Sequence, residues 1–198
     1  MTIARSEIRT ILYALLALAL SPLVYYLLVN LPPKFSVKLT GIQGLDTAAD
    51  PDPAAPLTTV FNMTLHASNK RSRTTWCYRH GEAVVRYAGF TLGWGRTRTF
   101  CVGAKDTRDV PVVAWADGVG LPKPIRDRMA AERRAGTVDL EVNVKLFAED
   151  DRTGAEPTWM WCEVGVATGR AAPSVATPCS VFMSKIWAAD FAPNWMLV

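Results

Sequence analysis

The side chains that could carry chemistry are few in this sequence, and they lie apart. Neither of its two histidines, His66 and His80, has an identifiable nucleophile or metal partner near it. The four cysteines lack the close C-x-x-C spacing of a zinc or redox site, and no glycine-rich loop precedes a helix as a phosphate-binding loop would. The acidic run 149–151 (Glu-Asp-Asp) is typical of a solvated turn, with calcium binding as the alternative. These residues predict a protein without catalytic activity, resident metal or cofactor.

Disulfide formation is the chemistry that the cysteines favour. Cys77, Cys101, Cys162 and Cys179 allow three full pairings, which sequence alone does not separate. If the strands that carry Cys162 and Cys179 are neighbours, a bridge between them is geometrically reasonable and would stabilise the fold by about 3 kcal/mol. Two reduced core thiols are the alternative. Cys77 with Cys101 is the less favoured pair.

A glycosylation acceptor sequence, Asn62-Met63-Thr64, lies in an alternating segment. Residues 61, 63, 65 and 67 are apolar and share one face, which leaves Asn62 on the solvent side. A glycan and disulfides both suit an oxidising, non-cytosolic compartment.

One basic run, Lys70-Arg71-Ser72-Arg73, with Arg79 nearby, is predicted to lie in a loop. The favoured interpretation is a solvated loop. The alternative is a contact for anionic lipid headgroups or an acidic polysaccharide, through an attraction of about 1 kcal/mol per basic residue near an anionic membrane.

The elements that position these side chains are mostly strands, because apolar residues recur with a period of two far more often than 3.6. The longest alternation, 138–146, has a polar opposite face at 139, 141, 143 and 145, so one sheet face is expected to meet water. One crossover helix is predicted over 124–135. Short strands at this spacing favour an antiparallel β-sandwich, with strands predicted at 35–39, 61–67, 83–92, 110–115, 138–146, 159–166 and 179–186.

An apolar run begins at Ile11 and ends at Leu31, within the 24 uncharged residues 10–33. Because a helix rises about 1.5 Å per residue, about 20 apolar residues cross a hydrocarbon core about 30 Å thick. The run predicts one transmembrane helix, with a cleaved secretory signal ending near residues 17–19 (Ala-Leu-Ala) as the alternative. The acceptor sequence and the cysteines that follow favour a cytosolic N-terminus and an extracellular C-terminal domain.

Two segments resemble the plant late-embryogenesis-abundant group 2 domain. Residues 85–92 (Val-Arg-Tyr-Ala-Gly-Phe-Thr-Leu) fit its V-x-Y-x-G-x-x-L strand, and residues 136–142 (Gly-Thr-Val-Asp-Leu-Glu-Val) resemble its G-x-V-x-L-x-V strand. A short basic leader, one span, Pro-Pro and an all-β domain follow the order of the membrane-anchored, harpin-induced-like branch. The chain departs from the family at 69–71, where it has Asn-Lys-Arg and the family commonly has Asn-Pro-Asn.

This resemblance implies an immunoglobulin-like or fibronectin-like sandwich at the plasma membrane, a role in defence or abiotic-stress responses, and no catalytic residues. It also implies the Cys162–Cys179 pair, since cysteines recur near both positions in the family. The expected parts are a leader (1–10), a span (11–31), a sandwich (32–185) and a tail (186–198). The expected partners are the membrane and an unknown protein, whereas a formal net charge of +4 does not indicate nucleic-acid binding.

Two further classes of function stay open. A sandwich that holds a lipid or other apolar ligand would need an internal cavity lined by residues such as Phe61, Met63 and Leu140. A hydrolase is the third class, and the sequence offers no acid–base constellation for it.

Overall fold

A computed structural model describes residues 5–30, 33–45, 56–71, 74–148, 157–167 and 175–182. Within those residues the chain forms two helices and ten strands. Their bounds in chain order are α1 Arg5–Asn30, β1 Lys34–Gln43, β2 Leu57–Ser68, β3 Trp76–Tyr87, β4 Phe90–Thr97, β5 Phe100–Val102, β6 Thr107–Val119, α2 Lys123–Ala135, β7 Thr137–Ala148, β8 Thr158–Ala167, β9 Thr177–Pro178 and β10 Ser180–Phe182.

The described strands form one hydrogen-bonded sheet in which every pairing is antiparallel. The strand order is β10-β8-β7-β3-β4-β6-β2-β1-β9, and β5 pairs with β3 beside this path. The prediction of an antiparallel, mostly β protein is confirmed.

One short segment joins the two ends of the sheet. β9 pairs with β1 and β10 pairs with β8, although only Cys179 separates β9 from β10. The Cys179 backbone N–H donates to the Phe35 carbonyl oxygen at 3.0 Å. The sheet therefore wraps around its core in a sandwich-like arrangement, and β9 and β10 each cover part of the outer edge of a longer strand, β1 and β8 respectively. Of the predicted strand 179–186, β10 is the paired part, and residues beyond 182 lie outside the described ranges.

Residues 83–92, predicted as one strand, form a hairpin instead. β3 ends at Tyr87 and β4 begins at Phe90, and Ala88 and Gly89 between them have φ angles of 47° and 84°. Two-residue hairpin loops of this kind need positive φ at both central positions. The prediction was wrong because alanine seldom adopts positive φ, so the sequence pattern gives little sign of the turn.

The core consists of the alternating faces that the sequence predicts. The apolar face of β7, from Val138 to Leu146, is at most 3% exposed, and so are Phe61 and Met63 of β2. Burying each such side chain contributes about 1.5–3 kcal/mol. The opposite face of β7 departs from the prediction at Asn143, which is 5% exposed although it was expected to meet water.

Helix α2 confirms the predicted crossover helix and covers the end of the sheet where β6 finishes. Met129 is 5% exposed and packs in the core. Gly136, with φ 102°, caps the helix by donating its N–H to the Arg133 carbonyl oxygen at 3.1 Å. The Tyr87 hydroxyl donates to Glu132 at 2.9 Å, which ties the helix to β3.

Helix α1 begins at Arg5, inside the predicted leader, and covers most of the predicted span. Its described apolar side chains are exposed, Leu12 at 64% and Leu18 at 72%. Judged on the described residues, neither helix is both long enough and apolar enough to span a membrane. Leu31, the acidic run 149–151 and the predicted tail 186–198 lie outside the described ranges.

Candidate functional site

The predicted basic run lies partly in the loop that follows β2. Lys70 is exposed and Arg71 is half-buried, whereas Arg73 lies outside the described residues. Arg79 belongs to a different element, because it is an exposed residue of β3 at the irregularity between Tyr78 and His80. The structure therefore brings Lys70 and Arg71 together and places Arg79 in the sheet.

Asn69 fixes the shape of this loop. Its side chain is 1% exposed, and Nδ2 donates to the carbonyl oxygens of Thr74 at 2.7 Å and Val102 at 3.2 Å. Its Oδ1 accepts the Arg71 N–H at 3.0 Å, and its own N–H donates to the Asp106 carbonyl oxygen at 2.9 Å. Because both ends of this buried amide are satisfied, the loop has a defined conformation.

Arg71 packs on an aromatic ring and does not extend into solvent. Its guanidinium carbon lies 4.6 Å from the Trp76 ring centroid, a distance typical of a cation–π contact. Burial lowers the pKa of Arg71, although an arginine stays protonated at physiological pH. Arg71 therefore braces the loop, and the exposed charge at this place belongs to other residues.

Three lysines from separate parts of the chain supply that exposed charge. The Lys105 N–H donates to the Arg71 carbonyl oxygen at 2.7 Å, which joins the loop after β5 to the loop after β2. Lys34, the first residue of β1, pairs in register with Ser68, immediately before Asn69. Lys34, Lys70 and Lys105 are all exposed. We call Lys34, Lys70, Arg71 and Lys105 the basic end.

An aromatic cluster lies under the basic end. The Tyr78 ring is fully buried, and its centroid lies 5.2 Å from that of Phe100, 6.2 Å from that of Phe35 and 6.4 Å from that of Trp76. Burial raises the pKa of Tyr78 to about 12, while the nearby Arg71 charge acts in the opposite direction. The charged loop is thus supported by apolar packing.

Both candidate disulfides are present. Cys162 of β8 is bonded to Cys179, so the predicted bridge is confirmed, and it fastens β8 to the segment that pairs with β1. Cys77 is bonded to Cys101, its direct register partner on β5, although this pair was the less favoured one. In the chain-entropy model each bridge contributes about 3 kcal/mol.

The acceptor Asn62 lies on the outer face of β2, as predicted. It is half-buried, pairs in register with Val113, and accepts a hydrogen bond on its carbonyl oxygen from the Thr40 hydroxyl at 3.1 Å. Glycosylation of Asn62 stays a prediction.

The two histidines are engaged with neighbouring side chains. His66 Nδ1 lies 2.5 Å from Asp109 Oδ1 on the surface, and the His80 ring stacks on Phe147 with 4.5 Å between centroids. Within the described residues, no group of three or more histidine, cysteine or acidic side chains could hold a metal ion.

Sequence reasoning missed a group of tryptophans on the outer surface of the sheet. Trp94 and Trp115 are opposite each other in the β4–β6 register and are 40% and 59% exposed. Trp159 and Trp161 point outward from β8 on the same surface, beyond β3 and β7. We call these four residues the tryptophan face. Its local sequence signal is weak, because the four residues lie in three different strands and meet only through strand register.

Two cations accompany these rings. The Arg96 guanidinium carbon lies 4.9 Å from the Trp94 ring centroid. Lys145 Nζ lies 4.5 Å from the Trp159 ring and 4.9 Å from the Phe147 ring. The surface therefore combines ring faces with positive charge.

Comparison with protein-family models and with curated proteins gives no match. Among solved structures, the chain is similar to one described as "Crystal structure of protein from Archaeoglobus fulgidus", at 12% sequence identity and a TM-score of 0.38, with 67% of this chain and 99% of that chain covered. A similarity at that TM-score carries no argument about fold or function. The resemblance to the late-embryogenesis-abundant group 2 domain stays a prediction.

Proposed function

We propose that this protein is a non-enzymatic interaction module that α1 holds at a membrane, with its β-domain outside the cytosol. The observation that carries the proposal is the junction between α1 and the sheet. A helix with exposed apolar side chains ends at Asn30, and β1 begins at Lys34 within the basic end.

The helix supports membrane attachment because its apolar side chains have no protein cover. Ile11, Leu12, Leu15, Leu16, Leu18 and Leu20 are each between 46% and 72% exposed, and α1 carries no charged residue from position 10 to its end at Asn30. A helix that is apolar all round is stable where its surroundings are apolar, either a protein core or a lipid bilayer.

The basic end supports a defined orientation. Lys34, Lys70 and Lys105 lie at the end of the sheet next to α1, so attachment through α1 brings them to the headgroup layer. Each exposed basic residue near an anionic surface contributes about 1 kcal/mol. Of the two ligand classes predicted for the basic run, the anionic lipid headgroup fits this position better.

The two disulfides support an oxidising compartment for the β-domain. The proposed immunoglobulin-like form of the sandwich, and the proposed role in plant defence or abiotic stress at the plasma membrane, rest on the sequence resemblance alone.

The test is retention of the full chain on phosphatidylserine-containing vesicles through an alkaline carbonate wash. Leu16→Arg with Leu18→Arg adds about 2.5–3.5 kcal/mol per residue at the centre of an inserted helix, so we expect this variant to be washed off while the parent chain is retained.

The matched control is Leu16→Ala with Leu18→Ala, which keeps the helix apolar and is expected to stay bound. Release of the parent chain by carbonate would refute insertion of α1 into the bilayer, and retention of the arginine variant would show that α1 is not the attachment.

A further inference from the structure

One row of outward-facing side chains crosses five strands of the sheet. In register, Trp161 of β8 pairs with Asn143 of β7, Asn143 with Val84 of β3, Val84 with Trp94 of β4, and Trp94 with Trp115 of β6. Neighbouring strands lie about 4.8 Å apart, so the row is about 19 Å long. The row forms an extended surface, with the Trp161 ring at one end and the Trp94 and Trp115 rings at the other.

A second row runs beside the first and carries charge. Trp159 pairs with Lys145, Lys145 with Glu82, and Glu82 with Arg96. Two cations thus flank one carboxylate, and each cation lies near a tryptophan ring. This row favours a ligand with negative charge, whereas the row on the other side of the first carries Glu163, Glu141 and Arg86, so the positive charge is confined to the Lys145 and Arg96 side.

The first row also contains a buried amide without a protein partner. Asn143 is 5% exposed, and neither its Nδ2 nor its Oδ1 has a hydrogen-bond partner among the described residues. Its chain neighbours Val142 and Val144 face the core, so the amide points to the outer surface. The indole Nε1 of Trp161, beside it in register, is likewise buried without a partner. A buried polar group left unpaired costs about 1–3 kcal/mol, which a ligand that donates and accepts hydrogen bonds would recover once a covering side chain such as Trp161 moves aside.

We infer that the tryptophan face, together with Asn143, Lys145 and Arg96, binds an acidic polysaccharide, a chain of sugars that carry carboxylates. The C–H faces of sugar rings lie against the negative faces of indole rings. Sugar hydroxyls both donate and accept, as the Asn143 amide requires. Sugar carboxylates pair with the guanidinium of Arg96 and the ammonium of Lys145.

This ligand class fits better than an apolar protein surface or a lipid. An apolar partner has no polar group to offer Asn143 and Trp161 Nε1 and would leave both unsatisfied. A layer of phosphatidylserine or phosphatidylcholine headgroups has no rings to lie on the indoles. The inference goes beyond the proposed membrane role and does not depend on α1, so either can fail without the other.

The experiment measures binding of the full chain, in detergent micelles, to polygalacturonate and to a soluble neutral β-glucan. We expect the parent chain to bind polygalacturonate at least tenfold more tightly than the neutral glucan. Trp94→Ala with Trp115→Ala should weaken polygalacturonate binding about tenfold or more, since tryptophans that a ligand covers carry a large share of binding energy. Asn143→Leu should weaken it similarly without lowering the melting temperature, because leucine leaves no unpaired amide.

A third variant separates charge from stacking. Lys145→Gln with Arg96→Gln should flatten the dependence of polygalacturonate binding on salt, whereas the control Lys38→Gln with Arg108→Gln, two exposed cations outside these rows, should not. Equal affinity for the neutral glucan would overturn the acidic ligand class. Unchanged binding by the folded Trp94/Trp115 variant would overturn the site. If Asn143→Leu does not fold, the tryptophan variant decides alone.

Discussion

The basic end and the tryptophan face are assembled in opposite ways. Most of the basic end lies in loops, where Lys70 and Arg71 are adjacent in the sequence and Asn69 fixes their backbone through hydrogen bonds. The tryptophan face consists of regular strands, and Trp94 and Trp115 meet only because β4 pairs with β6.

This difference shows which changes each surface tolerates. The lysines of the basic end are exposed, so their charge can be removed with little effect on packing. The tryptophan face depends on how closely two backbones approach, and β4 and β6 share only two register pairs. Substitutions that add a side chain where β4 and β6 approach each other should therefore disrupt the tryptophan face. Substitutions that remove lysine charge should weaken lipid binding by the basic end and leave the fold intact.

The largest expected effect comes from Gly95, which lies next to Trp94 and faces inward. A Cβ at Gly95 would lie 2.1 Å from the Val113 carbonyl oxygen, and neither backbone can yield while β4 and β6 stay paired. We expect Gly95→Ala to lower the free energy of unfolding by about 3 kcal/mol, measured by urea denaturation.

The matched control is Gly120→Ala, because a Cβ at Gly120 meets nothing within 4 Å. Its free energy of unfolding should stay within about 0.5 kcal/mol of the parent value. If Gly95→Ala were as stable as Gly120→Ala, the close approach of β4 and β6 would not hold the tryptophan face together.

The sequence predicts those features that depend on neighbouring residues. The apolar faces of β2 and β7 are visible because a period of two is a local property, and the basic run is visible because it is continuous. The sequence did not predict that Lys34 and Lys105 belong to the basic end. Strand pairing places Lys34 beside the loop after β2, and a hydrogen bond between two loops places Lys105 there.

The pairing register of strands that are distant in the sequence explains the other features that were not predicted. Cys77 faces Cys101 across β3 and β5, and β5 has only three residues, too few for an alternating pattern to show. Asn143 belongs to a face that is polar in sequence, yet Trp161 and Val84 flank it in the sheet and bury it. No periodicity predicts which residues lie opposite each other on non-consecutive strands.

A charge-removing variant tests whether the two surfaces act separately. Lys34→Ser with Lys70→Ser and Lys105→Ser removes three exposed charges from the basic end and leaves Arg71 on Trp76. At about 1 kcal/mol per charge, we expect the preference for phosphatidylserine over neutral vesicles to fall by up to about 100-fold. Binding to polygalacturonate should change far less.

The control for this variant removes three exposed charges elsewhere, through Lys38→Ser, Arg98→Ser and Lys123→Ser. Both triple variants have the same net charge, so a difference between them isolates position. An equal loss of vesicle preference in both would mean that the membrane responds to overall charge and that the basic end is no distinct site.

The smallest expected effect concerns the aromatic cluster under the basic end and its response to alkali. Burial raises the pKa of Tyr78 to about 12 in the folded chain, whereas an unfolded tyrosine ionises near about 10. Because the folded state favours the protonated phenol, this contribution is complete below about pH 10 and is lost as the pH rises towards about 12.

Tyr78→Phe cannot ionise, so we expect its free energy of unfolding to fall less between pH 9 and pH 12 than that of the parent, by about 2 kcal/mol. Urea denaturation at a series of pH values measures this, and the two proteins should be similar in stability at pH 7, where the phenol is protonated in both states. Parallel pH profiles would mean that solvent reaches the Tyr78 hydroxyl. The aromatic cluster would then not be the water-excluded support that distinguishes the basic end from the exposed Trp94 and Trp115 end of the tryptophan face.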